Sequence, residues 1–443
     1  MRIPAIAVFD AGKTNKKLLV FDGNYRILDE HACRLPEIKD EDGNECEDVD
    51  ALTRWVRSTL ATALSSPHFQ VKAVNFTSYG ASFVHLDAQG KVSLPLYNYL
   101  KPYPPEVLSE FFAKYGGEEK ICRETASPLL GHLNSGLLLY RLKKQKPGFT
   151  SGGYSLHLPQ YLCYAVTGKA YSDITSIGCH TMLWDFTRDG YHSWVTEEGL
   201  LPKLAPLVPA DHSTQAQLQG RSFKAGPGVH DSSSALIPYL SSFSEPFMLL
   251  STGTWSITLN PFNNAPLTSE ELKNDCLCYL TYKGIPVKAS RLFAGHMHEE
   301  GVKRLNAHFH VQDKYFQSVK YDPSLLNEEG FVINENFLQA DLSHMTNYDT
   351  AYHNLVANIV ALQVRSTNLV SSSNVQKLFV DGGFSRNHIY MNLLAKAYPN
   401  MTVYAASVAQ ATALGAALAM HHIWNKRELP GGLVELSEVR RSE

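Results

Sequence analysis

Excess charge and long apolar runs are what this sequence has least of. A formal net charge of −3 over 443 residues lacks the basic footprint of a nucleic-acid-binding protein. The apolar stretch from Phe247 to Leu259 is interrupted by Ser251, Thr252, Gly253 and Thr254, so it falls short of the about 20 apolar residues that a membrane helix needs. MRIPAIAVFDAG at the start has neither a long apolar segment nor a small-residue cleavage site, and a cytoplasmic protein is expected. Cysteines number seven, an odd count, and Cys276-Leu277-Cys278 has the wrong spacing for a redox pair or zinc knuckle, which leaves ordinary thiols. With nucleic acid and membrane set aside, a small-molecule partner is the expectation.

What is present is material for two cores. The chain is 44% apolar and 19% charged, and its length suits two domains of about 200 residues. Helical patterns at Asp50 to Leu64 and Tyr352 to Leu369 alternate with strand-like runs at Val71 to Thr77, Phe83 to Leu86 and Leu378 to Val380, so the fold class is α/β. The punctuated connection from Asp231 to Pro246 predicts a boundary, with residues 1–235 as the N-terminal and 236–443 as the C-terminal domain.

Three turns stand out. Ile6 to Phe9 runs into Asp10-Ala11-Gly12-Lys13-Thr14-Asn15-Lys16-Lys17, and Leu18 to Phe21 resumes as a strand, which reads as a hairpin with a polar tip. Phe247 to Leu250, Ser251-Thr252-Gly253-Thr254 and Trp255 to Leu259 repeat the pattern with hydroxyls in place of charges. Both tips offer backbone N–H groups and small or hydroxylated side chains to phosphate oxygens, and together they suggest an internal duplication. The third turn, Asp381-Gly382-Gly383, follows a short strand and precedes an amphipathic helix, a further strand and an alanine-rich helix whose Gly415-Ala416-Ala417 face permits close packing.

These motifs, with VNFTSYGASFVHLDAQG at 74–90, GVHDSSSAL at 228–236, STGTWSI at 251–257 and DGGFSRN at 381–387, fall in the order found in the FGGY carbohydrate kinases, which the chain resembles over most of its length, with rhamnulokinases the nearest branch. The resemblance implies two ribonuclease-H-like domains of the actin, Hsp70 and sugar-kinase superfamily around a cleft. It implies an ATP-dependent kinase with Mg²⁺, phosphorylating a ketose such as L-rhamnulose, L-fuculose or xylulose, as a monomer or homodimer. The alternative is a catalytically altered, nucleotide-dependent sugar sensor or assembly protein of the same superfamily.

Site roles follow from the same resemblance. Asp231 is read as the base that accepts the sugar hydroxyl proton, or as the cap of a helix beginning at Ser232. Asp10 at a strand end suits magnesium, which keeps much of its water and takes few carboxylates. Lys13, Thr14, Asn15 and Lys17 are expected at the β- and γ-phosphates, with Lys17 the stronger donor; Lys13 stands where relatives have a small or hydroxyl residue, and a solvated surface role stays open for Lys13 and Lys16. Gly253 and Thr254 are assigned to the phosphate chain, Gly383 and Asn387 to adenosine, with helix capping open for Asn387. Gly80, Tyr79 and His230 are assigned to the sugar along with Asp231. His296, His298 and Glu299 cluster in sequence, but two histidines two apart on a helix point to different sides, which disfavours a shared metal. The acidic stretch Glu37 to Asp50 is read as a solvated loop.

Overall fold

A computed structural model describes residues 2–80, 82–326 and 336–440. Two seven-stranded mixed sheets form its frame. The first runs in the order 214–218, 221–225, 69–78, 3–11, 16–22 and 27–33, with 229–230 also pairing with 69–78. The second runs 276–280, 286–292, 256–260, 248–252, 377–382, 402–407 and 435–438.

The two sheets share a central plan. Strand β1 (Ile3–Ala11) is antiparallel to β2 (Lys16–Asp22) and parallel to 69–78. Strand β3 (Met248–Thr252) is antiparallel to β4 (Ser256–Asn260) and parallel to β5 (Lys377–Gly382). The duplication expected from the two hairpin motifs is therefore present in the sheet topology.

Central strands are covered on both faces, which explains why they read as continuous apolar runs. Alternate side chains of β1 enter different cores. Ala5, Ala7 and Phe9 face the helix Val49–Leu64, whereas Ile6 and Val8 join Leu19, Phe21 and a row of small residues from Ala413 to Ala419. In the second half Leu250, Leu378 and Val380 meet α2 (Ala294–Phe309), α3 (Tyr348–Val370) and α4 (His388–Ala397). Leu249 and Phe379 face Leu236 and Tyr239 of α1 (Asp231–Ser242).

The expected division between 235 and 236 falls inside α1. This helix lies against α5 (Ala411–Ala419), and the two occupy the space between the sheets. Their backbones nearly touch at Gly415, where a Cβ would stand 1.8 Å from the Ser234 carbonyl oxygen. Asn75 Nδ2 donates to the Ala416 carbonyl at 2.7 Å, fastening α5 to the first sheet. Helix α5, late in the sequence, thus completes the core of the first sheet.

One expectation is corrected. The segment Glu37 to Asp50 is not a solvated loop: Glu37–Lys39 and Glu45–Glu47 pair as a short antiparallel hairpin, and Asp40 and Glu47 are buried. Lys101 Nζ lies 2.5 Å from Asp40 and Lys16 Nζ 2.9 Å from Glu47, so distant lysines neutralise carboxylates that the local charge pattern assigned to water. Trp194, fully buried, donates its indole N–H to the Met182 carbonyl as a packing residue. Among the described residues no helix is long and apolar enough to cross a membrane.

Candidate active site

The first hairpin tip is shaped by a lysine. Lys16, 1% exposed, donates from Nζ to the carbonyls of Gly12 at 2.9 Å and Lys13 at 3.0 Å and to Glu47 Oε1, so its charge is consumed in holding the turn. Lys13 pairs with Glu37 and lies 3.8 Å from Glu47. Asn15 Oδ1 accepts from Arg34 Nε at 3.0 Å, and Thr14 is exposed at the tip. Lys17 points elsewhere, to Gln410 Oε1 at 3.2 Å and Glu30 at 3.3 Å. Of the three lysines it is the one electrostatically coupled to Asp10, its cross-strand partner.

Asp10 sits at the end of β1, with Oδ2 accepting from Thr412 Oγ1 at 2.5 Å. Burial pushes its carboxyl up to about 6, the Thr412 bond opposes this, the neighbouring Asp231 raises it further, and Lys17 lowers it. Two carboxylates in electrostatic contact, with one lysine opposing them, make a locus of surplus negative charge. That fits a divalent cation bound largely through water; among the described residues no group of three or more His, Cys, Asp or Glu is arranged as an all-protein cage.

Asp231 is the first residue of α1, and His230 before it occupies the cap position. The carboxylate therefore does not close the helix end by capping. Oδ1 accepts from Ser232 N at 2.6 Å and lies 3.2 Å from His230 Nε2, while the side chain is 34% exposed. His230 itself is 2% exposed, and burial pulls its imidazole below the usual value while Asp231 opposes that. Its ring lies over Gly80, where a Cβ would stand 2.8 Å from the ring atoms. His230 thus backs Asp231 and fills the space that Gly80 leaves. Tyr79 turns away, donating to Glu47 Oε1 at 3.2 Å.

The sequence reading passed over two supporting residues. Thr175 Oγ1 accepts the His230 N–H at 2.9 Å and bonds Asp173 Oδ1, so this pair fixes the backbone on which His230 and Asp231 stand. Asp173 is fully buried, which pushes its carboxyl up to about 7 against the opposing Thr175 bonds. An Asp two residues before a Thr at the start of the short helix Ile174–Ile177 was the available signal.

The second tip and the Gly-Gly turn are stitched together by Thr252. Its Oγ1 donates to the Asp381 carbonyl at 2.5 Å and accepts from Phe384 N at 3.0 Å, and its carbonyl accepts from Gly383 N at 3.0 Å. Thr254 remains exposed, and its carbonyl accepts from Gly295 N at 3.2 Å at the start of α2. Gly382, with φ of 90°, is the glycine this turn requires, since a Cβ there would lie 1.9 Å from the Thr252 carbonyl. Gly383 has open space in front of it. A cavity of about 620 Å³ opens there, lined by Gly253, Gly295, His298, Phe316, Gly383 and Asn387. Asn387 both caps α4, accepting from Ile389 N and Tyr390 N at 3.1 Å, and lines this cavity.

The molecule thus has duplicated glycine-containing hairpins, a Gly-Gly turn opening on a cavity and two carboxylates between the sheets. Its fold is similar to that of a carbohydrate kinase from Novosphingobium aromaticivorans, with a TM-score of 0.81, 21% identity, and 100% of this chain and 95% of that chain covered. It is similar to ligand-bound xylulose kinase from Lactobacillus acidophilus, with a TM-score of 0.79, 14% identity and coverage of 100% and 94%. Plasmodium falciparum glycerol kinase with ADP gives a TM-score of 0.78, 15% identity and coverage of 96% and 91%. No curated protein matches the sequence. The fold is that of the two-domain sugar kinases. Residues 244–428 match the profile described as carbohydrate kinase FGGY, C-terminal domain.

Proposed function

We propose that the protein transfers the γ-phosphoryl group of ATP to a hydroxyl of a ketose, and that L-rhamnulose, L-fuculose and xylulose are the sugars to test first. The observation that carries this reading is the pairing of Asp231, half-buried at the start of α1, with Asp10 across from it. Asp231 accepts the proton of the attacking hydroxyl through its second oxygen, while His230 and Ser232 hold the first. A sugar lies against Asp231, beside the His230 ring that Gly80 accommodates. Asp10 holds Mg²⁺, which would supply neutralisation of the β- and γ-phosphate charge. Lys17, Gly253 and the exposed Thr254 attend the phosphates, and Gly383 and Asn387 border the adenosine. Neighbouring folds named as xylulose and glycerol kinases support a polyhydroxylated acceptor.

One observation favours the sensor reading: Lys13 is spent on Glu37, which leaves the first tip poorer in free cations than its sequence promised. ADP production with Mg-ATP against a panel of ketoses, aldoses and polyols decides the matter. Turnover with one ketose supports the kinase reading in its specific form. ATP binding without turnover on any sugar would overturn it in favour of a sensor.

A further inference from the structure

His298 belongs to none of the roles above, yet it lines the cavity beside the Gly-Gly turn. Three side chains fix its ring. Asn387 uses Oδ1 to cap α4, so its amide orientation is set and Nδ2 must face Tyr352, to whose Oη it donates at 2.8 Å. Tyr352 Oη in turn lies 2.9 Å from His298 Nε2. With one lone pair of the phenol oxygen receiving Asn387, the arrangement that satisfies every proton has the phenol O–H donating to Nε2. The neutral ring then carries its hydrogen on Nδ1. Burial pulls the imidazole down to about 4, so the ring stays neutral near pH 7. Nδ1 has no bond to a protein group among the described residues.

Two aromatic rings beside His298 also line the cavity. Phe316 and Phe384 stand edge-on to His298, with centroids 5.1 and 5.4 Å away. Resting on the kinase reading above, we infer that His298 reads the nucleotide base: its Nδ1–H donates to a ring nitrogen of the purine of ATP, with Tyr352 and Asn387 as the positioning residues that fix the tautomer. The same Asn387 that borders the adenosine therefore acts on it through two further side chains. A histidine two residues after another on one helix carried no sign of this in the sequence, because its partners come from α3 and α4.

The test compares wild type, His298→Phe and Tyr352→Phe in ATP affinity, KM for ATP and KM for the sugar. A set of ATP analogues in which single purine ring nitrogens are replaced by C–H is run alongside. His298→Phe keeps the ring and loses the donor, and is expected to weaken ATP binding about tenfold with the sugar KM unchanged. One analogue should lose about the same factor on wild type and nothing further on His298→Phe. Nitrogen-15 NMR of histidine-labelled protein should find the His298 proton on Nδ1 in wild type and distributed over both nitrogens in Tyr352→Phe. Wild-type ATP affinity in His298→Phe, equal losses for every analogue, or a proton on Nε2 in wild type would each overturn the inference and leave the kinase reading standing. Wild-type protein that binds no ATP would instead overturn the nucleotide site itself, and this inference with it.

Discussion

Thr412 donates its hydroxyl to Asp10 at 2.5 Å across 402 positions of sequence, joining the start of α5 to the end of β1. The bond holds a buried carboxylate whose ionisation is costly, and that cost sets the first prediction.

Asp10→Asn should stabilise the protein while impairing catalysis. The folded-state pKa of about 6 lies above the usual 3.8, so the folded form binds the extra proton between these values and stability falls as pH rises through them. Above about pH 7 the ionised carboxylate costs the fold on the order of 1–3 kcal/mol, which the neutral amide avoids. Melting temperature at about pH 7.5 should rise in the variant, and the magnesium needed for half-maximal activity should rise too. In wild type, magnesium affinity should weaken as pH drops through about 6. An unchanged magnesium requirement in Asp10→Asn would reject the metal role.

Asp231→Ala should lower turnover by about 10²–10⁴-fold, the usual contribution of a positioned base, with ATP affinity nearly unaltered. Because His230, not Asp231, occupies the cap position of α1, little stability should be lost. Stopped-flow turnover and calorimetric ATP binding on one preparation separate the two effects. Retained turnover would remove Asp231 as the base.

Adjacent glycines should respond in opposite ways. Gly382→Ala forces a Cβ into the Thr252 carbonyl at a positive φ and should destabilise the fold by a few kcal/mol, on the order of other strained backbone substitutions. Gly383→Val projects into open space and should leave the melting temperature near wild type while weakening ATP binding. Thermal melts with and without ATP read both.

Acid should unfold the protein early. Burial pulls His85 and His157 down to about 3 and His132 to about 4, so unfolding releases sites that take up protons below about pH 6.5. Stability is lost as pH falls from that value toward the folded pKa, by roughly 2–3 kcal/mol for each histidine at about pH 4.5. His85→Asn, which cannot titrate, should flatten this decline in urea unfolding measured from about pH 7 to 4.5. A decline of unchanged slope would show that other groups carry it.

Much of the frame was legible in the chain. The β1–β2 and β3–β4 hairpins show in sequence because strands buried on both faces must be uniformly apolar, so polar tips stand out against them. The Gly-Gly turn and the narrow face of α5 were legible for similar reasons of local geometry. Charge placement was not. Whether Lys13, Lys16 or Lys17 faces the cleft depends on Glu37, Glu47, Glu30 and Gln410, which reach the hairpin from other elements. The burial of His230 over Gly80 becomes visible only when strand 229–230 pairs with the end of 69–78. The pairing of Asp40 with Lys101 escaped the acidic-loop reading for the same reason.

The place of α5 bears on how this protein is made. A ribosome delivers β1 and its neighbours hundreds of residues before Ala413, Ala416 and Ala417, which cover Ile6 and Val8, leave the exit tunnel. During that interval one face of the first sheet lacks part of its cover, and synthesis at about 5–20 residues per second makes the interval tens of seconds long. The nascent chain therefore carries an adhesive surface from the synthesis of β1 until α5 emerges to shield it.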